Sequence, residues 1–115
     1  MAQAAGKDPG NFQAMGSHSL EAAGLLKAMA NEHRLLILCH LAEGELSVGQ
    51  LNRRLDLSQS SLSQHLAVLR GQGLVETRRA SQVIFYRLAG GPALNVMNVL
   101  YDAYCAPARR AKEKR

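Results

Sequence analysis

The sequence predicts one mainly α-helical domain carrying a β-hairpin, in the order ααααββα. Three observations point there. Apolar residues recur at helical spacing in five segments bounded by capping or breaking residues. The stretch around residue 80 changes to strand-like alternation. A chain of 115 residues, 47% hydrophobic and 20% charged, has room for one small globular core and is too poor in glycine and proline for a fibrous or fully disordered polymer.

Residues 1–16 are rich in Ala, Gly and Gln, lack an apolar period and contain Pro9 and Gly10, so they are expected to form a disordered leader. The domain is expected over residues 17–106, with a flexible basic tail over 107–115. From Ser19, residues Leu20, Leu25, Leu26 and Met29 mark a first helix. Asn31 caps a second, which Leu35, Leu36, Ile37, Leu38, Cys39 and Leu41 make apolar on most sides, as suits a buried central helix. Ser47 and Gln50 form a capping-box pair opening a short third helix, with Arg53 and Arg54 outward. Ser58 caps a fourth helix with the stripe Leu62, Leu66 and Leu69, stopped by Gly71 and Gly73. Residues 74–79 and 82–88 alternate as two strands around Ala80 and Ser81. Pro92 opens the last helix, which carries Leu94, Met97, Leu100, Tyr101 and Tyr104 and ends near Pro107.

No run approaches the roughly 18 apolar residues of a membrane span, and no basic stretch leads into an apolar core at the N-terminus, so a cytoplasmic protein without membrane contact is expected. Charge is unevenly spread. Residues 17–52 carry Lys27 and Arg34 against Glu21, Glu32, Glu43 and Glu45, whereas residues 53–87 carry Arg53, Arg54, Arg70, Arg78, Arg79 and Arg87 against Asp56 and Glu76. Six arginines suit phosphates and guanine edges, so the middle third is the candidate binding face. The basic run over 108–115 reads as a mobile tail or as plain solvated charge. Aromatic content of 4% with no Trp argues against a stacking platform for single strands, leaving duplex as the nucleic acid of choice.

Two helices joined by a tight turn, then a hairpin bearing arginine, describe a winged helix-turn-helix. The fourth helix presents Gln59, Ser60, Ser61, Ser63, Gln64 and His65 opposite its leucines. Short polar side chains let such a helix enter a major groove about 12 Å wide, where Gln can pair with adenine and Ser can meet bases or phosphates. Arg78, Arg79 and Gln82 on the hairpin can reach the adjacent backbone or minor groove and fix register. Singly, each Ser or Gln reads as well as solvated surface; together, three serines of poor helix propensity suit a helix kept for more than stability.

These residues resemble the ArsR/SmtB repressors, small dimeric winged-helix regulators of bacteria. The likeness runs from about Leu20 to Cys105 and is densest at residues 30–38 (ANEHRLLIL), 57–66 (LSQSSLSQHL), Leu69-Arg70, Gly73-Leu74-Val75 and Tyr86-Arg87-Leu88. It implies that the helix over residues 58–70 is the recognition helix, that His65 is a groove or phosphate contact, and that the first and last helices form a homodimer interface. Apolar faces on terminal helices, which so small a domain cannot fully bury, point the same way. A two-fold dimer would read palindromic operator DNA with half-sites roughly one helical turn apart. Ser81 stands where the family often has glycine. Ser47 and Gly49 stand where metal sensors of the family carry a Cys-x-Cys, and residues 92–104 offer Asp102 but no histidine for the zinc site of the last helix, so no metal or cofactor is expected.

Cys39 and Cys105 are too few to staple a secreted fold and, by themselves, read either as structural filler or as reactive thiols. The pattern Leu38-Cys39-His40-Leu41 with Tyr104-Cys105 resembles the dithiol subgroup of the ArsR family that responds to persulfides and polysulfides. That resemblance implies that reactive sulfur species act as inducer, linking Cys39 to Cys105 through a disulfide or longer sulfur bridge and releasing the operator. A general oxidant-responsive or metal-responsive regulator using the same thiols is the alternative. His40 adjoins Cys39 but points about 100° away around the helix. An enzyme is not expected, since no Cys-x-x-Cys, βαβ pattern or nucleophile and base pair appears. A protein-interaction module that kept the winged helix is the remaining class.

Overall fold

The computed structural model describes residues 12–106. A 3-10 turn, Ala14–Ser17, precedes α1 (Ser19–Met29), and it is closed by the Ser17 hydroxyl donating to the Ala14 carbonyl (3.0 Å). Order therefore begins before residue 17, because short hydroxyl side chains supply the bonds that the apolar pattern does not announce; the rest of the leader, and the tail over 107–115, lie outside the described residues. Then come α2 (Glu32–Ala42), β1 (Leu46–Ser47), α3 (Val48–Arg54), α4 (Gln59–Gly71), β2 (Val75–Ala80), β3 (Val83–Leu88) and α5 (Pro92–Leu100), the last continued by a π-helical turn, Tyr101–Cys105. None of these helices is long and apolar enough to cross a membrane.

The three caps form as the sequence predicts. Asn31 Oδ1 accepts from the amides of His33 and Arg34, Ser47 and Gln50 form a reciprocal capping box, and Ser58 Oγ accepts from the Ser61 amide. Each satisfies amides that the first helical turn leaves without partners. Ile37, Leu38, Leu51, Leu62, Leu66, Leu69 and Leu74 are the fully buried side chains of the core. Central helix α2 packs against α1, α4, β3 and α5, yet it is not apolar-buried all round: Leu36 and Cys39 are exposed.

One strand was not foreseen. The sheet has three antiparallel strands in the order β1-β3-β2, with Leu46 opposite Tyr86 and Ser47 opposite Phe85. Two residues show no alternation, so β1 is defined only by its partner. The Ala80–Val83 pair makes Ser81 and Gln82 the hairpin turn, one residue later than the alternation suggested. Ser81 takes a φ of 62°, the left-handed region that glycine enters without a Cβ penalty.

Helix α4 stops in a Schellman arrangement. The Leu74 amide donates to the Leu69 carbonyl (2.9 Å), the Gly73 amide donates to that of Arg70 (3.0 Å), and Gly73 has a φ of 73°. Leu69 and Leu74 are both buried beneath the cap. Gly73→Ala is therefore expected to destabilise the fold by about 1 to 2 kcal/mol, the cost of placing a Cβ in this conformation, read as a lower urea midpoint with an unchanged slope.

Candidate nucleic-acid interface and thiol pair

Burial of Leu62, Leu66 and Leu69 sets the rotation of α4 about its axis. At about 100° per residue, Gln59, Ser60, Ser63 and Gln64 then share one exposed arc, and the same arc contains Ala67 and Arg70. Ser61 and His65, expected on that face, fall on its flank and are half-buried. Asn52 braces the turn before α4 by donating to the Leu57 carbonyl (3.0 Å). Between α4 and the sheet lies a shallow cleft of about 520 Å³ lined by Val48, Ser63, Ala67, Arg70 and Tyr86 among others. Arg70 was absent from the sequence-derived contact set. Its i+7 spacing from Ser63 was the signal that could have placed it there.

The hairpin separates residues that look equivalent in sequence. Arg78 and Arg79 point to opposite faces of β2. Arg78 makes a bidentate pair with Glu45 (3.1 and 2.7 Å), and its guanidinium sits 4.6 Å from the centre of the Phe85 ring. Hydrogen bonding from Arg78 holds the Glu45 carboxyl below its usual range. Arg87 pairs with Glu76 across the strands (3.0 Å). Two of the basic side chains counted toward a binding face are thus committed to ion pairs on the outer face of the sheet. Arg79 and Gln82 stay exposed, Gln82 at the tip.

Arg34 joins three helices. Its Nε donates to the Ala28 carbonyl (2.6 Å) and its Nη2 to that of Lys27 (3.4 Å), both in the last turn of α1, while Nη1 lies 3.4 Å from His65 Nδ1 on α4. A cation on the final carbonyls of a helix also opposes the dipole's negative end. The ring of His33 stacks, tilted, 5.6 Å from that of His65. Partial burial, then the charges of Arg34 and His33, push the His65 pKa down. The structure thus turns His65 toward the helical body.

Cys39 on α2 and Cys105 at the end of the π-helical turn are both free and exposed. They are far apart in sequence, but the helix that carries Cys39 packs on α5, which leads into the turn that ends at Cys105. Partial burial raises the Cys39 pKa most, followed by the charges of Cys105 and Glu43. His40 does not contribute to that shift. Among the described residues, no group of three or more His, Cys, Asp or Glu side chains is placed to hold a metal ion.

Residues 31–77 match the model of the bacterial regulatory protein, arsR family. The chain is 54% identical over 97 residues to the transcriptional activator HlyU of Vibrio cholerae, covering 84% of this chain and 90% of that one. It is 49% identical over 94 residues to a biofilm growth-associated repressor of Agrobacterium fabrum, covering 82% and 80%. The chain belongs to the ArsR family. Among solved members, reduced HlyU of Vibrio cholerae superposes with a TM-score of 0.75 at 54% identity, covering 81% of this chain and 98% of that one. The repressor BigR of Xylella fastidiosa does so at 0.74 and 44%, covering 81% and 95%. The winged helix-turn-helix of this ArsR member is thus a DNA-binding regulator's fold, and its relatives are regulators and not enzymes.

In this ArsR domain the Arg34–His65 contact makes a titration prediction. A His whose folded pKa lies below the unfolded value near 6.5 favours the neutral form, so stability is flat above that pH and falls as pH drops from 6.5 through the folded value. His65→Gln should remove that part of the acid loss, as measured by thermal unfolding from pH 7.5 to 5. Arg34→Ala should cost about 1.5 to 3 kcal/mol at pH 7, the scale of a charge-assisted hydrogen bond.

Proposed function

We propose that this ArsR-family protein is a homodimeric repressor. It binds palindromic operator DNA while its thiols are reduced and releases it when persulfide or polysulfide links Cys39 to Cys105. The observation carrying the reading is that both cysteines are free and exposed, one on central α2 and one just beyond α5, the helix that packs on α2. Support for the reading head comes from the exposed Gln59, Ser60, Ser63 and Gln64 of α4 beside Arg79 and Gln82. Support for a dimer comes from α1 and α5, where Leu20 is 88% exposed and Val99 65%. Apolar faces of that kind are covered by a partner in stable proteins.

The sulfur chemistry balances. One thiolate attacks the sulfane sulfur of RSSH and expels RS⁻, giving a protein persulfide. The second thiolate attacks the inner sulfur of that persulfide and expels hydrosulfide. Overall, two thiols and RSSH give a disulfide, RSH and H₂S; a second RSSH adds one sulfur to the bridge and leaves a second RSH. The two thiols are oxidised and the sulfane sulfur is reduced. Longer bridges span wider thiol separations than a disulfide, whose Cα atoms must lie within about 7 Å.

Cys39→Ser and Cys105→Ser should each bind operator as tightly as the parent in a mobility shift and stay bound after polysulfide. Mass spectrometry should find added sulfur between the two cysteines only after treatment with sulfane sulfur; equal bridging by peroxide would instead favour the general oxidant sensor. Because the raised Cys39 pKa leaves little thiolate at neutral pH, bridging should speed up as pH rises. Gln64→Ala should cost about 1 to 3 kcal/mol on the operator if it reads a base edge. Arg79→Ala should weaken all sequences alike and lower the salt slope by about one per protomer, about two for the dimer. No shift at low salt would leave only a protein-interaction module.

A further inference from the structure

The hairpin meets the helical body along a short line. Strand β1 pairs with β3 at two places, Leu46 with Tyr86 and Ser47 with Phe85, so the rows of the sheet there run Leu46–Tyr86–Thr77 and Ser47–Phe85–Arg78. Beyond the second row β2 and β3 continue as a two-stranded overhang: Arg79 with Ile84, Ala80 with Val83, then the turn Ser81–Gln82. Val83 and Ile84 are exposed. The first row rests on the core through buried Leu46 and partly buried Tyr86. The second faces outward, and its Ser47 is also the N-cap of α3. A ladder of two pairs fixes one line and leaves rotation about that line open. Closing it takes a bond from the β1 side to β2 across the strand between them, a span of roughly 10 Å at the usual strand spacing. Arg78 makes that bond. Its guanidinium lies over the Phe85 ring of β3, 4.6 Å from the centre, and Nε and Nη2 donate to the two carboxylate oxygens of Glu45, the residue before β1 (3.1 and 2.7 Å). Such a fork fixes direction as well as distance. The other ion pair of this face, Arg87 with Glu76, joins β3 to β2 and stays within the hairpin.

We propose that the Glu45–Arg78 pair is a positioning brace for the wing: it sets the pitch of the overhang against the helix-turn-helix, and Arg78 serves DNA binding through Arg79 and Gln82 without touching DNA itself. The inference rests on the reading of the hairpin tip as a DNA contact, and it adds what aims the tip. The brace stands at the last row that the body holds, where a small tilt swings the overhang most, and a tip held in place beforehand spares binding the cost of ordering it. Hydrogen bonding from Arg78, ahead of every other influence, keeps the Glu45 carboxyl ionised below its usual range. A direct DNA contact by Arg78 makes the opposite demand on Glu45. There the carboxylate would compete with phosphate for the guanidinium, and its loss would tighten binding; for a brace, its loss weakens binding.

The test compares the full-length parent with Glu45→Gln, Arg78→Gln and the double variant, over a range of salt, on a duplex that the parent selects from a random-sequence library. Each single variant and the double should bind about three- to tenfold more weakly, the scale of one surface ion pair per wing in a two-winged dimer, with the salt slope unchanged. In the background Arg79→Ala with Gln82→Ala, where the tip has nothing left to place, Glu45→Gln should cause no further loss, whereas a general loss of stability would carry over. Without DNA, hydrogen exchange read by mass should run about threefold or more faster in hairpin peptides of Glu45→Gln, with α4 peptides at the parent rate. The proposal is overturned by a Glu45→Gln variant that binds as tightly as the parent or tighter, by an Arg78→Gln slope lower by about two, or by hairpin exchange at the parent rate. A parent that retains no duplex at low salt sinks the reading of the tip as a DNA contact; faster hairpin exchange in Glu45→Gln would then leave the brace standing as the wing's anchor.

Discussion

The leucine stripe of α4 is the constraint on which the proposed reading surface depends. Leu62, Leu66 and Leu69 are buried against the core, and each full burial stabilises by about 1.5 to 3 kcal/mol. Turning α4 by one residue would exchange these leucines for Ser61, His65 and Val68, or for Ser63, Ala67 and Arg70, costing several kcal/mol. The helix therefore has one rotational setting. Any regulatory input must move α4 as a body with the elements packed on it. Such an input alters where the polar face points and leaves its membership unchanged.

Helix α2 is the element through which such a movement has to pass. Ile37 and Leu38 lie in the core beside α4, Arg34 ties its first turn to α1 and to His65, and Cys39 is exposed. A covalent link at Cys39 would thus act on a rod that touches the proposed reading helix and both terminal helices. In the proposed mechanism a ten- to hundredfold loss of operator affinity needs about 1.4 to 3 kcal/mol of coupling. That is a fraction of the roughly 5 to 15 kcal/mol that holds a domain together, so a tilt of intact helices suffices and no unfolding is required.

What was legible in the sequence was local. Asn31, Ser47 and Ser58 announce their helices because a cap acts within three residues, and Leu62, Leu66 and Leu69 announce the buried side of α4 because periodicity is carried within one element. What escaped is set by distant partners. Strand β1 exists through Tyr86 and Phe85; Arg78 is diverted by Glu45, 33 residues away; His65 is turned inward by Arg34, 31 residues away. The end of the last helix escaped for a further reason, since a π-turn gives no sign of itself in residue type.

The thiols stand outside the cluster that folds the domain. Neither cysteine belongs to the buried core, so the chain folds without drawing stability from them, and both are open to reagent. The raised pKa of Cys39 fits that arrangement, since a thiol kept mostly protonated reacts slowly with incidental electrophiles. The proposed partner, Cys105, lies just beyond α5 and beside apolar surface that the proposed dimer would cover. In the proposed dimer, a bridge there would join the centre of one reading head to the joint between two. Small tilts at a joint displace the far ends of rigid bodies most, and for a two-fold reader the spacing of those ends against the helical repeat of duplex is the quantity that binding depends on.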